Sequence, residues 1–441
     1  MDDRSGVSKA GPDEQLPDPE RLLDRLIEEH RSLSRMFGNE ALELFHRSSV
    51  GLRVGRSGPG EPVLRSIGRE DGVAIRIAGP DGGGERFAAA SGCGGASLRW
   101  AIDHARPMAH RAVSGGTPWA NDGTRRADRD EVDRLPSPAE LKSWLARSWD
   151  LLQAQPVVGG RVEPLEAWVE AAATVECLVG PGGLATVRTR TRAWAMARVG
   201  ALDPVLPAPR PLFVASRRWD RLDATGWAGL AADRRWGSGA LAGSHAGRMP
   251  VTFTAESAST LVAALVRTLH TGSRELGVPV GPGWRVVDDP LAPDSLFGGT
   301  FDDAGFPTGR RTLADGERGT GAAAGPGSLR RPSFRDPPQA LPFHTVLEAG
   351  PEDSDDDGLL VSELAIHPLP DGRWLLECDG ILRRGAEWGP SVRGGLISTT
   401  PAALARSCVA RVGPARESHR GVRTPALLHQ RYPQPGREPP R

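Results

Sequence analysis

Residues 249–273 read MPVTFTAESASTLVAALVRTLHTGS, residues 284–290 read WRVVDDP, and residues 298–316 read GGTFDDAGFPTGRRTLADG. The first stretch opens as a short apolar strand and continues as a helix. Thr254 is placed to cap that helix, and Glu256 puts a carboxylate in its first turn, where the helix dipole favours negative charge. Leu261, Val262, Leu265, Val266 and Leu269 recur at helical spacing and form one apolar stripe. The helix is expected to stop near Thr271 and Gly272, because Gly accepts the left-handed terminal conformation. The chain beyond Gly272 is dense in turn formers and carboxylates. A strand, a buried helix and an acidic Gly/Pro loop in succession suggest a binding groove.

This succession resembles the C-terminal domain of the TldD/PmbA family, the two-subunit metalloproteases also called modulators of DNA gyrase. In the active subunit of that family the helix carries an H-E-x-x-x-H motif, in which the two His bind zinc and the Glu is the general base. Laid onto this helix, the motif puts Ala263 at the first His, Ala264 at the Glu and Thr268 at the second His. Ala has no donor atom, and a Thr hydroxyl is a poor zinc ligand. The resemblance therefore implies the other, PmbA or TldE, kind of subunit, with no catalytic residue, metal or cofactor in this chain. It places the zinc in a TldD-like catalytic partner. The active subunit also uses a Cys near its C-terminus; Cys408 lies in that region but in an apolar helical context, so the role is not carried over.

Composition limits the alternatives. With 441 residues the chain is long enough for two or three domains and a substantial core. A formal net charge of zero gives no long-range field to draw nucleic acid or an anionic membrane. Lys9 and Lys142 are its only lysines; with abundant Ala, Gly and Pro, that points to coding bias rather than to a basic binding surface. Cys93, Cys177, Cys378 and Cys408 are far apart, which suits reduced, buried thiols and neither a metal spacing nor a disulfide framework. The polar start MDDRSGVSKAGPDEQ has no apolar core of a signal peptide, and no apolar run approaches a membrane span. A cytoplasmic protein is expected, with no nucleic-acid or membrane partner.

Taken in order, residues 1–18 are expected to form a disordered tail and 19–113 an N-terminal α+β domain. The helix over 19–37 carries Leu22, Leu23, Leu26, Ile27, Leu33 and Met36 on one face, with His30 at the core edge. Short strands are expected over 41–46, 51–54, 63–67, 73–77 and 86–90, then a helix over 96–113. The Gly-rich run 79–84 is read as a hairpin loop, since no Gly-Lys-Ser/Thr follows it. Residues 114–135 read as a linker. A capping box at Ser137 and Glu140 opens the helix of a central domain, 136–245. Its long hairpin, 165–179 and 184–199, ends in a strand with Arg188, Arg190, Arg192, Trp194 and Met196 on one side and Val187, Ala193, Ala195 and Ala197 on the other. That arginine ladder is read as a solvated face or a subunit contact.

Residues 246–430 are expected as a β-rich C-terminal domain and 431–441 as a frayed tail. Within it, 317–341 is low in complexity, and packing into a regular element is not expected. The acidic run 352–357 is read as solvated charge. The runs LPFHTVLEAG and GILRRGAEWG resemble the family's closing strands, with His344 where Asn is usual and Ala386 in place of a Gly. The fold class is thus α+β.

No G-x-S-x-G elbow or other nucleophile motif is present in the chain. Asp288, Asp289 and Asp302 are the carboxylates best placed for a substrate groove, although each sits in turn context, where Asp commonly caps backbone N–H groups. His270, at the end of the helix, joins them as a candidate peptide contact; a lone His cannot hold zinc. The resemblance implies a non-catalytic subunit of a heterodimer that processes peptides or leader peptides. Two other readings stand beside it: a stand-alone peptide-binding or scaffold protein, and a metal-independent hydrolase that uses the carboxylates at 288–303.

Overall fold

The computed structural model describes residues 16–432 except 39, 79–84, 93, 107–119, 121–122, 130–134, 158–159, 202–209, 234–237, 242–248, 272–283, 294, 317, 320–325, 350–356, 385–386 and 418–421. The expected Gly-rich hairpin, the acidic loop up to residue 356 and most of both tails fall outside the described residues. The described residues form an eight-stranded sheet, an eleven-stranded sheet and one two-stranded ribbon, an α+β fold in which most pairings are antiparallel.

The first sheet holds β1 (Ala41–Ser57), β2 (Val63–Ala78), β3 (Glu85–Ser91), β4 (Arg125–Arg129), β5 (Pro156–Val157), β6 (Gly160–Val179), β7 (Ala185–Ala201) and β8 (Arg210–Ser216). Its order is β3-β2-β1-β6-β7-β4, with β5 on β6 and β8 on β7. The short strands read from the sequence merge into two long ones. Gly51 and Gly68 face each other across β1 and β2, so the glycines that read as turns sit inside the ladder. β1 also pairs with β6, which joins the expected N-terminal and central domains in a single sheet. Likewise β4 lies within the expected linker and pairs in parallel with β7. Its sequence, RRADR, has no apolar alternation to announce a strand.

Helices α1 (Pro19–Phe37), α2 (Gly95–Ala105), α3 (Pro138–Ala154) and α4 (Ala224–Asp233) accompany this sheet. The Asp18 side chain caps α1 by accepting from Glu20 N at 3.0 Å, and Ser137 and Glu140 cap each other at the start of α3. Leu22, Leu23 and Leu26 pack against Leu44, Ile75, Val175 and Val187. Leu141, Leu145 and Trp149 do the same against Val169, Ala193, Ala195 and Ala197. Each fully buried leucine contributes about 1.5–3 kcal/mol. Trp227 of α4 is fully buried and stacks on Trp144 at 5.4 Å. His30 donates to or accepts from its neighbours within α1 and β1, its Nε2 lying 2.9 Å from the Leu42 carbonyl.

The second sheet begins with β9 (Ser238–Leu241) and β10 (Met249–Phe253), followed by α5 (Ala255–Thr271), β11 (Trp284–Asp288), β12 (Arg311–Asp315) and β13 (Arg318–Gly319). The ribbon β14 (Leu329–Arg330) and β15 (Gln339–Ala340) interrupts it. It resumes with β16 (Thr345–Ala349), β17 (Asp357–Pro368), β18 (Trp374–Arg384), β19 (Glu387–Thr399), α6 (Pro401–Ser407), β20 (Cys408–Glu417) and β21 (Val422–Tyr432). The order is β13-β12-β11-β16-β21-β10-β17-β18-β19-β9, with β20 on β21. Thr254 caps α5 as expected: its Oγ1 accepts from Ser257 N at 3.4 Å and its carbonyl from Ala258 N at 2.7 Å. Leu261, Val262, Leu265 and Val266 then pack onto Phe253, Val286, Leu347, Val361 and Leu376. Cys408 opens β20 instead of lying in a helix. Among the described residues, no helix is long and apolar enough to cross a membrane.

The second half of the 317–341 stretch forms little regular structure beyond the two-residue strands β14 and β15, yet it is packed. Phe334 is fully buried, and its ring rests on Gly72 of β2 so closely that a Cβ on Gly72 would lie 2.2 Å away. Gly327 takes a φ of +83°, and a Cβ there would meet the Pro307 carbonyl at 2.6 Å. Packing here uses one aromatic anchor and close backbone approach, which composition does not reveal. Gly72→Ala is therefore expected to destabilise the protein by about 1–3 kcal/mol through overpacking. Phe334→Ala is expected to cost about 3–5 kcal/mol. Denaturation midpoints of the single and double variants decide the matter: the double should lose at least about 0.5 kcal/mol less than the sum. Strict additivity would show that the ring and Gly72 do not meet.

Candidate functional site

β7 alternates as its sequence predicts, but its arginine side is covered at Arg188 and Arg190, while Arg192 and Arg198 are exposed. Val187, Ala193, Ala195 and Ala197 enter the helix-side cores. Arg188 and Arg190 meet the loops that run between β11 and β16. Three neighbouring strands place Arg47, Glu176 and Arg188 in a row, since Arg47 is opposite Glu176 and Glu176 is opposite Arg188. Glu176, 4% exposed, accepts from Arg47 Nε at 2.8 Å and from Arg190, with Arg188 at 3.8 Å. Arg188 reaches across to Asp303 at 3.0 Å. Arg47 and Arg190 donate to the loop carbonyls of Arg331 (3.1 Å), Pro332 (3.3 Å) and Phe297 (3.0 Å). Further along, the fully buried Arg76 pairs with Glu43 at 2.6 Å, and Glu43 also holds Arg331. The solvated-face reading of the ladder is thereby corrected at Arg188 and Arg190 and holds at Arg192. Arg47, Arg188 and Arg190 are the contact between the first sheet and the loops of the second.

Burial alone would raise the Glu176 carboxyl; the guanidiniums of Arg190, Arg47 and Arg188 outweigh it and hold the group well below the ordinary carboxylate range. The two described thiols behave as the sequence suggests. Cys177 and Cys378 are buried and free, and burial pushes each up to about 12.

The candidate carboxylates are structural in their contacts. Asp288 is fully buried and accepts from Phe343 N at 2.8 Å, His344 N at 2.9 Å and Arg311 at 2.7 Å. Asp302, also fully buried, accepts from four backbone N–H groups: Ala304, Phe306, Gly327 and Leu329, at 2.8–3.1 Å. Burial pushes its carboxyl up to about 6 against the pull of those donors. Its turn closes at Gly305, with φ +87° and packed on Leu184. Asp289 accepts from Leu291 N at 3.3 Å and lies 3.8 Å from Arg310. His270 lies in the last turn of α5, with its side chain outside the described residues.

A groove lies between the far end of the first sheet and the first turns of α5, and it encloses about 570 Å³. Trp168, Trp194, Met196 and Phe213 form its sheet side; Glu256 to Thr260, Leu296, Phe297 and the Ser362–Leu364 stretch of β17 form the other. Its walls are mostly apolar and aromatic, which suits a ligand with hydrophobic side chains. Asp288, Asp289 and Asp302 do not line it. The structure therefore does not bring the three predicted carboxylates into the groove. Sequence reasoning found the helix, the arginine ladder and the 288–303 carboxylates but missed Glu43, Glu176 and Arg330. Matching the alternation of Glu43 and Arg47 in β1 with Glu176 in β6 is the signal that could have found the first two.

Zinc does not fit the α5 positions that the family resemblance singles out. Ala263 and Ala264 pack against the core, and the Thr268 hydroxyl donates to the Ala264 carbonyl at 3.1 Å. Among the described residues, no group of three His, Cys, Asp or Glu is arranged to hold a metal ion.

No family model matches the sequence, and no curated protein matches it. Solved structures do match its fold. TldE from Thermococcus kodakarensis superposes with a TM-score of 0.75 at 17% identity, over 92% of this chain and 99% of that one. A candidate modulator of a DNA gyrase from Thermotoga maritima gives 0.69 at 15%, over 94% and 99%. Another, from Bacteroides thetaiotaomicron, gives 0.68 at 14%, over 92% and 98%. The fold implied by the sequence resemblance is the fold of this chain across nearly its whole length.

Glu176→Gln leaves three guanidiniums without a full counter-charge, and is expected to cost about 3–5 kcal/mol. Because the folded carboxyl titrates below its unfolded value of about 4.3, its contribution is complete above that pH and fades as pH falls through the folded value. Denaturation from pH 7 to pH 3 should therefore show the variant losing less stability on acidification than the parent chain. Parallel acid profiles would show that Glu176 is not the charge that binds the layers.

Proposed function

We propose that this chain is a TldE-type subunit that pairs with a zinc-bearing, TldD-like partner in a peptide-processing heterodimer. It supplies wall, substrate contacts and stability; the partner supplies the zinc and the chemistry. One observation carries the reading: α5, whose first turns line the groove, is the helix on which the family places its zinc motif, and at the motif positions it carries Ala263, Ala264 and Thr268. The likeness to TldE over 92% of the chain supports it.

The mostly apolar and aromatic lining supports a binding role for the groove. An extended peptide placed in it would lie between the sheet and the first turns of α5. The carboxylates at 288–302 are occupied by backbone donors, so they do not support the metal-independent hydrolase.

Metal analysis and peptidase assays of the purified chain, alone and mixed with a co-encoded TldD-like chain, test this. Zinc, activity towards unfolded peptides and a one-to-one complex are expected only in the mixture. Stoichiometric zinc in the chain alone overturns the reading of α5. Peptide binding by the chain with no complex formed favours a stand-alone binding protein.

A further inference from the structure

A second, smaller recess of about 110 Å³ adjoins the groove and shares Arg192, Leu296 and Phe297 with it. Five guanidiniums and three carboxylates line it, so its charge is unbalanced. Two of the carboxylates are engaged: Glu176 serves Arg47, Arg188 and Arg190, and Asp303 accepts from Arg188 and from Arg331 N at 2.5 Å; the third, Glu70, is exposed on β2. Arg331 in turn is held by Glu43.

Two guanidiniums remain. Arg330 stacks on Phe297 at 4.2 Å and on Phe343 at 5.5 Å, and donates to the Pro342 carbonyl at 2.6 Å. Arg192 lies over the Trp194 ring at 5.0 Å. Among the described residues, neither makes an ion pair. Burial lowers Arg330 to about 10, which leaves it charged at neutral pH. Aromatic stacking fixes the planes of both groups while leaving N–H edges for an acceptor, the arrangement that suits planar, bidentate recognition of a carboxylate.

We propose that Arg192 and Arg330 form a carboxylate-binding recess at one end of the groove, which anchors peptides through an acidic group. The recess is too small for more than a carboxylate and its waters, whereas the adjoining groove takes several side chains. This inference rests on the peptide-groove reading and adds a polarity to it: the anion sits beside Phe297, and the apolar part runs towards Trp168 and α5. The carboxylate comes either from the peptide's C-terminus or from a Glu or Asp side chain.

Calorimetric titration of the full chain with three pentapeptides tests the recess. One has apolar residues and a free C-terminus, one is its C-terminal amide, and one is the amide with a single Glu. The free acid, the Glu peptide or both are expected to bind at least about tenfold more tightly than the neutral amide. Which of the two does so identifies the source of the carboxylate. Arg192→Gln and Arg330→Gln are expected to remove that difference, so that each variant binds all three peptides alike. Arg192 is exposed, so its variant is informative even if Arg330→Gln folds poorly. Equal binding of all three peptides by the parent chain, or unaltered discrimination in Arg192→Gln, overturns the recess and leaves the groove reading standing. Binding of none of the peptides overturns both.

Discussion

Glu176 gathers Arg47, Arg188 and Arg190 on a sheet face that has no helix over it, and the rest of the architecture depends on that cluster. The first sheet buries its other face against helices through apolar side chains, as a half-exposed antiparallel sheet ordinarily does. On the Glu176 side the covering material is loop, rich in Gly, Pro and Asp, which brings carbonyls and carboxylates instead of methyl groups. Arginine is the residue that can bridge such surfaces, since its five donors reach carboxylates and backbone carbonyls together. Buried pairs of this kind contribute little net stability relative to an apolar core, yet removing one partner is costly. Their effect is to fix which loop lies on which strand.

That logic separates what was legible in the sequence from what was not. The strand and helix of 249–271, the caps at Thr254 and Ser137, the long hairpin and the two faces of β7 come from local periodicity and local hydrogen bonding. The outcome at Arg188 and Arg190 does not, because alternation says which side a residue is on and not what will cover it. The 326–336 segment was opaque for a related reason. Its hold on the sheet is one ring over Gly72, one buried Arg331 and backbone N–H groups given to Asp302 and Asp303. None of these leaves a periodic trace. Nor did β4, whose place is set by its pairing with β7 and by Asp128, which accepts from Thr300 N at 2.7 Å.

The candidate carboxylates show the same division in miniature. Their turn context was visible, and the structural role that goes with it is what Asp288 and Asp302 have. A fully buried Asp that accepts four N–H groups organises a loop and has no lone pair left for a substrate. These residues bear on the groove only indirectly, by holding the loops that carry Leu296, Phe297 and Arg330.

The charge cluster and the groove are therefore one construction. Arg190 belongs to both: it holds Glu176 on the sheet and donates to the carbonyl of Phe297, whose ring lines the groove and stacks on Arg330. A wall made of loop would ordinarily be too mobile to recognise anything, because the entropy of ordering it would fall on the ligand. Here the ordering is done in advance by ion pairs within the chain. α5 closes the opposite side with a capped first turn packed on its own sheet. A groove with both walls set before a ligand arrives can bind a flexible ligand with few contacts, which is what the proposed subunit role requires.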